Sequence, residues 1–117
     1  LMEEGLLDAI QPDTLHMGLW FYHILARDID DSGHATLIAP HTSNAAYLGL
    51  RANIQFGAVT KRFVIAEDST LNFELYRGDE YVFEDGKYAV PASPGLAVSI
   101  DRELYDRVYR QHETLIR

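Results

Sequence analysis

The chain has 117 residues, a length that favours a single domain. Hydrophobic residues make up 47% of it and charged residues 24%, as is usual for a soluble globular protein. The formal net charge of −8 argues against a nucleic-acid partner, whose phosphates require clustered Lys and Arg. The sequence has no bilayer-spanning apolar run, signal peptide or cysteine, so we expect no membrane partner, no disulfide and a cytoplasmic location.

The first predicted elements are a strand and a helix. The apolar segment at residues 6–10 ends at Gln11-Pro12, where the proline holds the preceding residue in an extended conformation. Gly33 is predicted as the C′ residue of the following helix. The apolar face of that helix is predicted to comprise Trp20, Phe21, Ile24, Leu25 and Ile29.

A second strand and helix follow, and then a third strand. Residues 35–39 and 63–66 are short apolar runs, and Thr42 or Ser43 is predicted to cap the helix between them. The apolar face of that helix is predicted to comprise Ala46, Tyr47, Leu50 and Ile54. Because all three strands are apolar throughout, the pattern indicates a parallel sheet covered by helices.

The character of the sequence changes beyond Thr70. A hairpin is predicted over residues 81–90, with its turn at Asp85-Gly86, and residues 96–100 form one more extended piece. Asp101 is predicted to cap a last helix that runs to about Ile116. The side chains expected on one side of that helix are Leu104, Tyr105, Val108 and Tyr109.

The three parallel strands leave two open edges, and such edges are usually paired or covered. We therefore predict an α/β fold of two parts. Residues 1–70 form the C-terminal portion of a TIM-type (β/α) barrel, with its last three strands, and residues 71–117 form a tail. A self-contained α/β binding module is the alternative, and it requires a compact, stable monomer.

An ionisable residue follows each predicted strand: Asp13, His41 and Glu67. The carboxyl ends of barrel strands form the active-site face, and neighbouring strands lie about 5 Å apart, so Asp13 and His41 are expected to be hydrogen-bonded. The bond would favour the protonated imidazole and leave its other nitrogen as a general acid or base. Glu67 could bond a substrate carboxylate or, if burial keeps it protonated, donate to an enolate oxygen. Singly, such residues are usual at turns; their recurrence at three strand ends favours a site.

Four stretches carry a family resemblance: "DAIQPDTLHMG", "LIAPHTSN", "RFVIAEDST" and "DGKYAVPASPGLAVSIDRELYDRV". They resemble, in order, the sixth, seventh and eighth barrel strands of the enolase superfamily and the tail that returns to its capping domain. The branch is that of mandelate racemase and the acid-sugar dehydratases. The resemblance implies that His41 is the general acid/base, Asp13 its orienting partner and Glu67 the hydrogen-bond donor to an enediolate intermediate.

The implied activity is abstraction of the α-proton of a hydroxy-acid or sugar-acid carboxylate by a Mg²⁺-dependent enzyme. A dehydratase is expected, with a racemase or epimerase as the alternative. The family's Mg²⁺ ligands lie on earlier strands that this sequence does not match, so no metal ligand is assigned in it, and the chain alone is expected to be inactive.

The resemblance further implies a homo-oligomer that binds a small carboxylate substrate and needs the rest of the barrel. A non-catalytic fragment that functions only by assembly with another chain is the alternative. The remaining histidines have no metal-site spacing, and a surface or structural role is expected for His16, His23, His34 and His112.

Overall fold

The protein is described by a computed structural model that covers residues 1–42, 46–68, 74–78 and 80–114. The chain divides into two compact units, Leu1–Asn72 and Phe73–Arg117. Compact packing does not establish independent folding, so the predicted domain division at residue 70 stays a prediction. No helix in the described ranges is both long and apolar enough to cross a membrane.

The first unit alternates short strands with helices. Strands β1 and β2 pair in parallel, with Ala9 opposite Leu37 and Ile10 opposite Ile38. A parallel bridge joins Ile38 to Phe63 on the next extended segment. The predicted parallel arrangement of three successive segments is therefore present. The bounds of the elements are β1 Ala9–Ile10, α1 Thr14–Ser32, β2 Leu37–Ile38 and α2 Ala46–Val59.

The third predicted strand is less regular than expected. Residues 63–66 were predicted to be a buried strand, but only Phe63 forms a bridge, and the side chains of Val64 and Ile65 are exposed. The amide of Val64 donates to the carbonyl of Ile38 at 3.1 Å. The described backbone hydrogen bonds of this segment are made with β2 and the residues just after it. Pairing along one edge alone does not hold the residues after Phe63 in a regular strand.

The core of the first unit lies between the helices and the short sheet. Its fully buried members are Tyr22, Ala26, Ile29, Ile38 and Phe56. The rings of Tyr22 and Phe56 meet edge to face, with centroids 5.1 Å apart. Ile29 and Ile38 are completely buried, so α1 is packed directly against β2.

The apolar face predicted for α1 was partly wrong. Leu25 and Ile29 pack as expected, but Trp20 is 73% exposed. The buried row is Tyr22, Ala26 and Ile29, which share a face at the spacing i, i+4, i+7. Hydropathy favoured the larger apolar side chains, whereas packing selected a tyrosine and an alanine.

Two glycines shape α1. Gly18 lies within it at φ 74° and ψ 157°, so a first turn is separated from the long helix by a kink. Gly33 follows the helix at φ 73° and is the predicted C′ residue. Positive φ is strained for other residues, which explains glycine at both positions.

The second unit is built from two antiparallel strand pairs. The strands are β3 Tyr76–Arg77, β4 Phe83–Glu84, β5 Lys87–Tyr88 and β6 Ser99–Ile100. β4 and β5 form the predicted hairpin, and the positive φ values of 49° at Asp85 and 75° at Gly86 give a type I′ turn. β3 pairs with β6. β6 lies in the extended piece predicted over residues 96–100, whereas β3 was not predicted.

The last helical segment begins as predicted but is irregular. The carboxylate of Asp101 accepts a hydrogen bond from the amide of Leu104 at 3.0 Å, which confirms the N-cap. The prediction of one regular helix was wrong: α3 Arg102–Leu104 continues as a π-helical turn, Tyr105–Tyr109, and a 3₁₀ turn, Arg110–His112. None of these residues is buried, so no packed face fixes the α-helical geometry. Residue 116 lies outside the described ranges.

Candidate active site

Asp13 and His41 stand directly after β1 and β2, where they form a parallel bridge beyond the two strands. The Oδ2 atom of Asp13 lies 2.9 Å from Nδ1 of His41. The hydrogen bond predicted from the sequence is therefore present. The Asp13 side chain is 11% exposed and that of His41 is 37% exposed, so the carboxylate is inside and the imidazole is open to a ligand.

Glu67 completes a row of three ionisable groups. Its Oε2 atom lies 3.5 Å from Nε2 of His41, on the side of the ring opposite Asp13. The Glu67 side chain is 42% exposed, so the burial expected to keep it protonated is not found in the described residues. The three strand-end residues are nevertheless brought together, with His41 between two carboxylates.

Thr42 fixes the position of Glu67. The backbone amide of Thr42 donates to Oε2 of Glu67 at 2.8 Å, and its hydroxyl donates to the backbone carbonyl of Glu67 at 3.1 Å. Thr42 was predicted as an alternative helix cap; the amides that it would cap lie outside the described residues, so this stays a prediction. Ser43, the other predicted cap, lies outside the described residues.

The electrostatics of the row favour a charged imidazole. The hydrogen bond that His41 donates to Asp13 raises the pKa of His41 above its ordinary value of 6.5, and the negative charges of Glu67 and Asp13 act in the same direction. Partial desolvation of the ring opposes them. Asp13 also fixes the proton of the neutral ring on Nδ1, so that Nε2 carries the lone pair.

Buried polar side chains lie beneath the row. The hydroxyl of Thr14 donates to Oδ1 of Asn53, whose Nδ2 donates to the carbonyls of Pro40 and His41, each at 3.4 Å. The hydroxyl of Tyr22 donates to the carbonyl of Pro12. The sequence did not predict these groups, because Thr, Tyr and Asn within apolar helices form no pattern that distinguishes a buried hydrogen-bonded residue from others. The adjacency of Thr14 to Asp13 was the one available clue.

A further histidine, His16, lies beside the row. Nδ1 of His16 lies 3.8 Å from Oδ1 of Asp13, but its side chain is 77% exposed. Within the described ranges, no group of three or more His, Asp or Glu side chains is arranged to hold a metal ion. The residues described here therefore do not fit a Mg²⁺ site.

The chain matches a known protein family. The family model described as "Enolase C-terminal domain-like" matches residues 1–104. The chain belongs to this family. The resemblance to the enolase superfamily, first drawn from the strand-end motifs, is confirmed, and the mixed α/β fold is that of a C-terminal enolase-superfamily domain.

A search of curated proteins found no match. Among solved structures, this enolase-like domain is similar to a mutant galacturonate dehydratase from Geobacillus sp., complexed with Mg. The TM-score is 0.74 and the sequence identity 29%, and the similarity covers 86% of this chain. The chain spans about a quarter (26%) of that dehydratase.

Proposed function

We propose that this domain is the C-terminal portion of a Mg²⁺-dependent sugar-acid dehydratase in which His41 is the catalytic acid/base. The observation that supports the proposal is the row Asp13, His41 and Glu67, with 2.9 Å between Asp13 and His41 and 3.5 Å between His41 and Glu67. The similarity to a galacturonate dehydratase favours dehydration over racemisation as the outcome of proton abstraction.

His41 carries both proton transfers in this proposal. Nε2 takes the proton from the carbon next to the substrate carboxylate, and the C–H electron pair forms the enediolate. The same imidazolium then donates that proton to the β-hydroxyl, the C–O bond breaks and water leaves. The raised pKa of His41 suits the second step, because it keeps the ring protonated until the leaving group needs the proton.

Asp13 and Glu67 have separate tasks. Asp13 accepts from Nδ1 and thereby directs Nε2 at the substrate. Glu67, whose Oε2 lies 3.5 Å from Nε2 of His41, is assigned the contact with the substrate carboxylate and with the enediolate oxygen that develops from it.

The rest of the site comes from outside the described residues. Mg²⁺ is present in the similar dehydratase, and in this protein it would supply stabilisation of negative charge on a carboxylate-derived oxygen. We propose that its ligands, and the strands that complete a TIM-type barrel, are supplied by further sequence or by another chain. Assembly into a homo-oligomer is part of the same proposal.

Replacing His41 tests the proposal most directly. In the natural gene product that contains this sequence, we expect His41→Asn to reduce kcat on a panel of sugar acids that includes galacturonate. The expected loss is about 10²–10⁴-fold, because Asn cannot exchange a proton. The change is measured by formation of the 2-keto-3-deoxy acid, and the same panel is assayed for epimerised substrate.

His23→Asn is the matched control, because His23 is an exposed residue of α1 that contacts Trp20 and not the row. It should retain the wild-type kcat. Wild-type turnover by His41→Asn would refute the acid/base assignment, and epimerised substrate without keto acid would establish a racemase instead. The chain of 117 residues assayed alone should show no turnover, since it holds no Mg²⁺ site in its described part.

A further inference from the structure

We propose that Asn53 and Thr14 are positioning residues that set the separation of Asp13 and His41, an inference that rests on the function proposed above. Neither residue is ionisable, and neither lies in the row itself. Their role follows from which backbone groups they join and from how deeply they are buried.

Asn53 joins the two strand ends through one side chain. It lies on α2 and is 1% exposed, so both ends of its amide require hydrogen-bond partners. Its Oδ1 accepts from the hydroxyl of Thr14, the residue after Asp13. Its Nδ2 donates to the carbonyls of Pro40 and His41, at 3.4 Å each. The amide thus connects the side chain of Thr14, the residue after Asp13, to the backbone of Pro40 and His41.

The chain on the other side of Asp13 is held as well. The carbonyl of Pro12 accepts from the buried hydroxyl of Tyr22 and from the amide of His41 at 2.9 Å. Burial is the main cause that raises the pKa of Tyr22, and the negative charge of Asp13 acts in the same direction. The net shift is upward, so Tyr22 stays a neutral donor at physiological pH.

The Asp13–His41 pair needs this support because the strands that precede the two residues are short. β1 and β2 have two residues each and pair through a two-residue register. Asp13 and His41 lie beyond that register, at an isolated bridge. A site that depends on a hydrogen bond of 2.9 Å is sensitive to small displacements, and a shift of about 1 Å can cost about 10²-fold in rate.

A purely structural role makes a different prediction. If a buried Asn or Thr only stabilises the fold, its removal lowers the free energy of unfolding and leaves the titration of His41 unchanged. A positioning residue also alters the Asp13–His41 bond. The titration of His41, followed by NMR, reports on that bond whether or not the protein turns over substrate.

The experiment compares Asn53→Leu and Thr14→Val with wild type in the natural gene product. We expect the pKa of His41 to fall toward its ordinary value of 6.5 in both variants, because the hydrogen bond that His41 donates to Asp13 is weakened. We expect kcat to fall about 10²-fold with little change in KM. Thr14→Ser, which keeps the hydroxyl, should restore both quantities.

Thr36→Val is the matched control. Thr36 is a buried threonine whose hydroxyl donates to the carbonyl of Leu7 at 2.9 Å, before β2 begins. It should lower stability and leave the His41 titration and kcat unchanged. The same behaviour in Asn53→Leu and Thr14→Val would overturn the proposal. If wild type has no dehydratase activity but the titration shifts as expected, the positioning role stands and the proposed function fails.

Discussion

The two units of the chain are stabilised in different ways. The first unit, Leu1–Asn72, packs a core around Ile29 and Ile38 and joins distant residues through buried hydrogen bonds. In the described part of the second unit, Phe73–Arg117, Tyr81 is the one buried hydrophobic residue, and Phe83 and Ile100 are exposed. That unit relies on a tight turn, an N-cap and the ion pair between Arg77 and Asp101 at 2.7 Å.

The contrast shows what kind of support the proposed catalytic row requires. A local turn fixes residues that are close in sequence, as Asp85 and Gly86 are. His41 follows Asp13 by 28 positions in the sequence. The distances among these two residues and Glu67 therefore depend on the packing of helices against strands. The candidate site therefore lies in the unit that has a core.

The largest expected difference comes from removing the same apolar side chain in each unit. Ile29→Ala should reduce the free energy of unfolding by about 2–5 kcal/mol, because Ile29 is fully buried and its removal leaves a cavity. Ile100→Ala should cost about 0.5 kcal/mol or less, because Ile100 is 46% exposed. Urea unfolding of the two variants measures both values, and equal losses would contradict the comparison.

Backbone strain, in contrast, is expected to reduce the free energy of unfolding equally in the two units, and two glycines test this. Gly33→Ala and Gly86→Ala should each cost about 1–2 kcal/mol, since the residues have φ values of 73° and 75°. An added Cβ meets no atom within 4 Å at either position, so backbone strain is the sole cost expected. Urea unfolding, with hydrogen exchange to locate the affected segment, checks this; a much larger loss at Gly33 would show that the core amplifies strain.

The smallest effect concerns the polar contacts of the second unit at low pH. The amide of Leu104 is the main cause of the lowered pKa of Asp101, and Arg77 adds to it. A lowered folded-state pKa means that the cap contributes stability above the ordinary value of 3.8 and loses it as pH falls through the folded value. The NMR shift of the Leu104 amide should report a modest loosening below about pH 4.

Asp101→Asn is the control for that titration. It keeps an oxygen that can accept from Leu104 but removes the ionisation, so the amide shift should no longer change over this pH range. A persistent change in the variant would assign the transition to another group.

The sequence predicted local features of the second unit well and its distant contacts poorly. The Asp85-Gly86 turn and the Asp101 cap depend on a few neighbouring residues, and both are present. The pairing of β3 with β6 joins residues more than twenty positions apart, and two-residue strands carry too little periodicity to be detected.

In the first unit the order of elements and the Asp13–His41 bond were predictable, because parallel strands bring their carboxyl ends to one edge. The rotation of α1 was not, since Tyr22 and Ala26 are weak hydropathy signals beside Trp20. The exposure of Glu67 and the use of Asn53 depend on three-dimensional neighbours, which periodicity does not reveal.

The kink at Gly18 has a consequence for how such a site diversifies. It divides α1 so that the first turn, which carries His16 and Met17 next to Asp13, is uncoupled from the helical phase of Tyr22 and Ile29. We expect substitutions of His16 and Met17 to leave the core residues that follow unrotated, whereas Thr14, in the same turn, is held by Asn53. The side chains presented beside Asp13 and His41 can thus change without a shift in the register of the long helix.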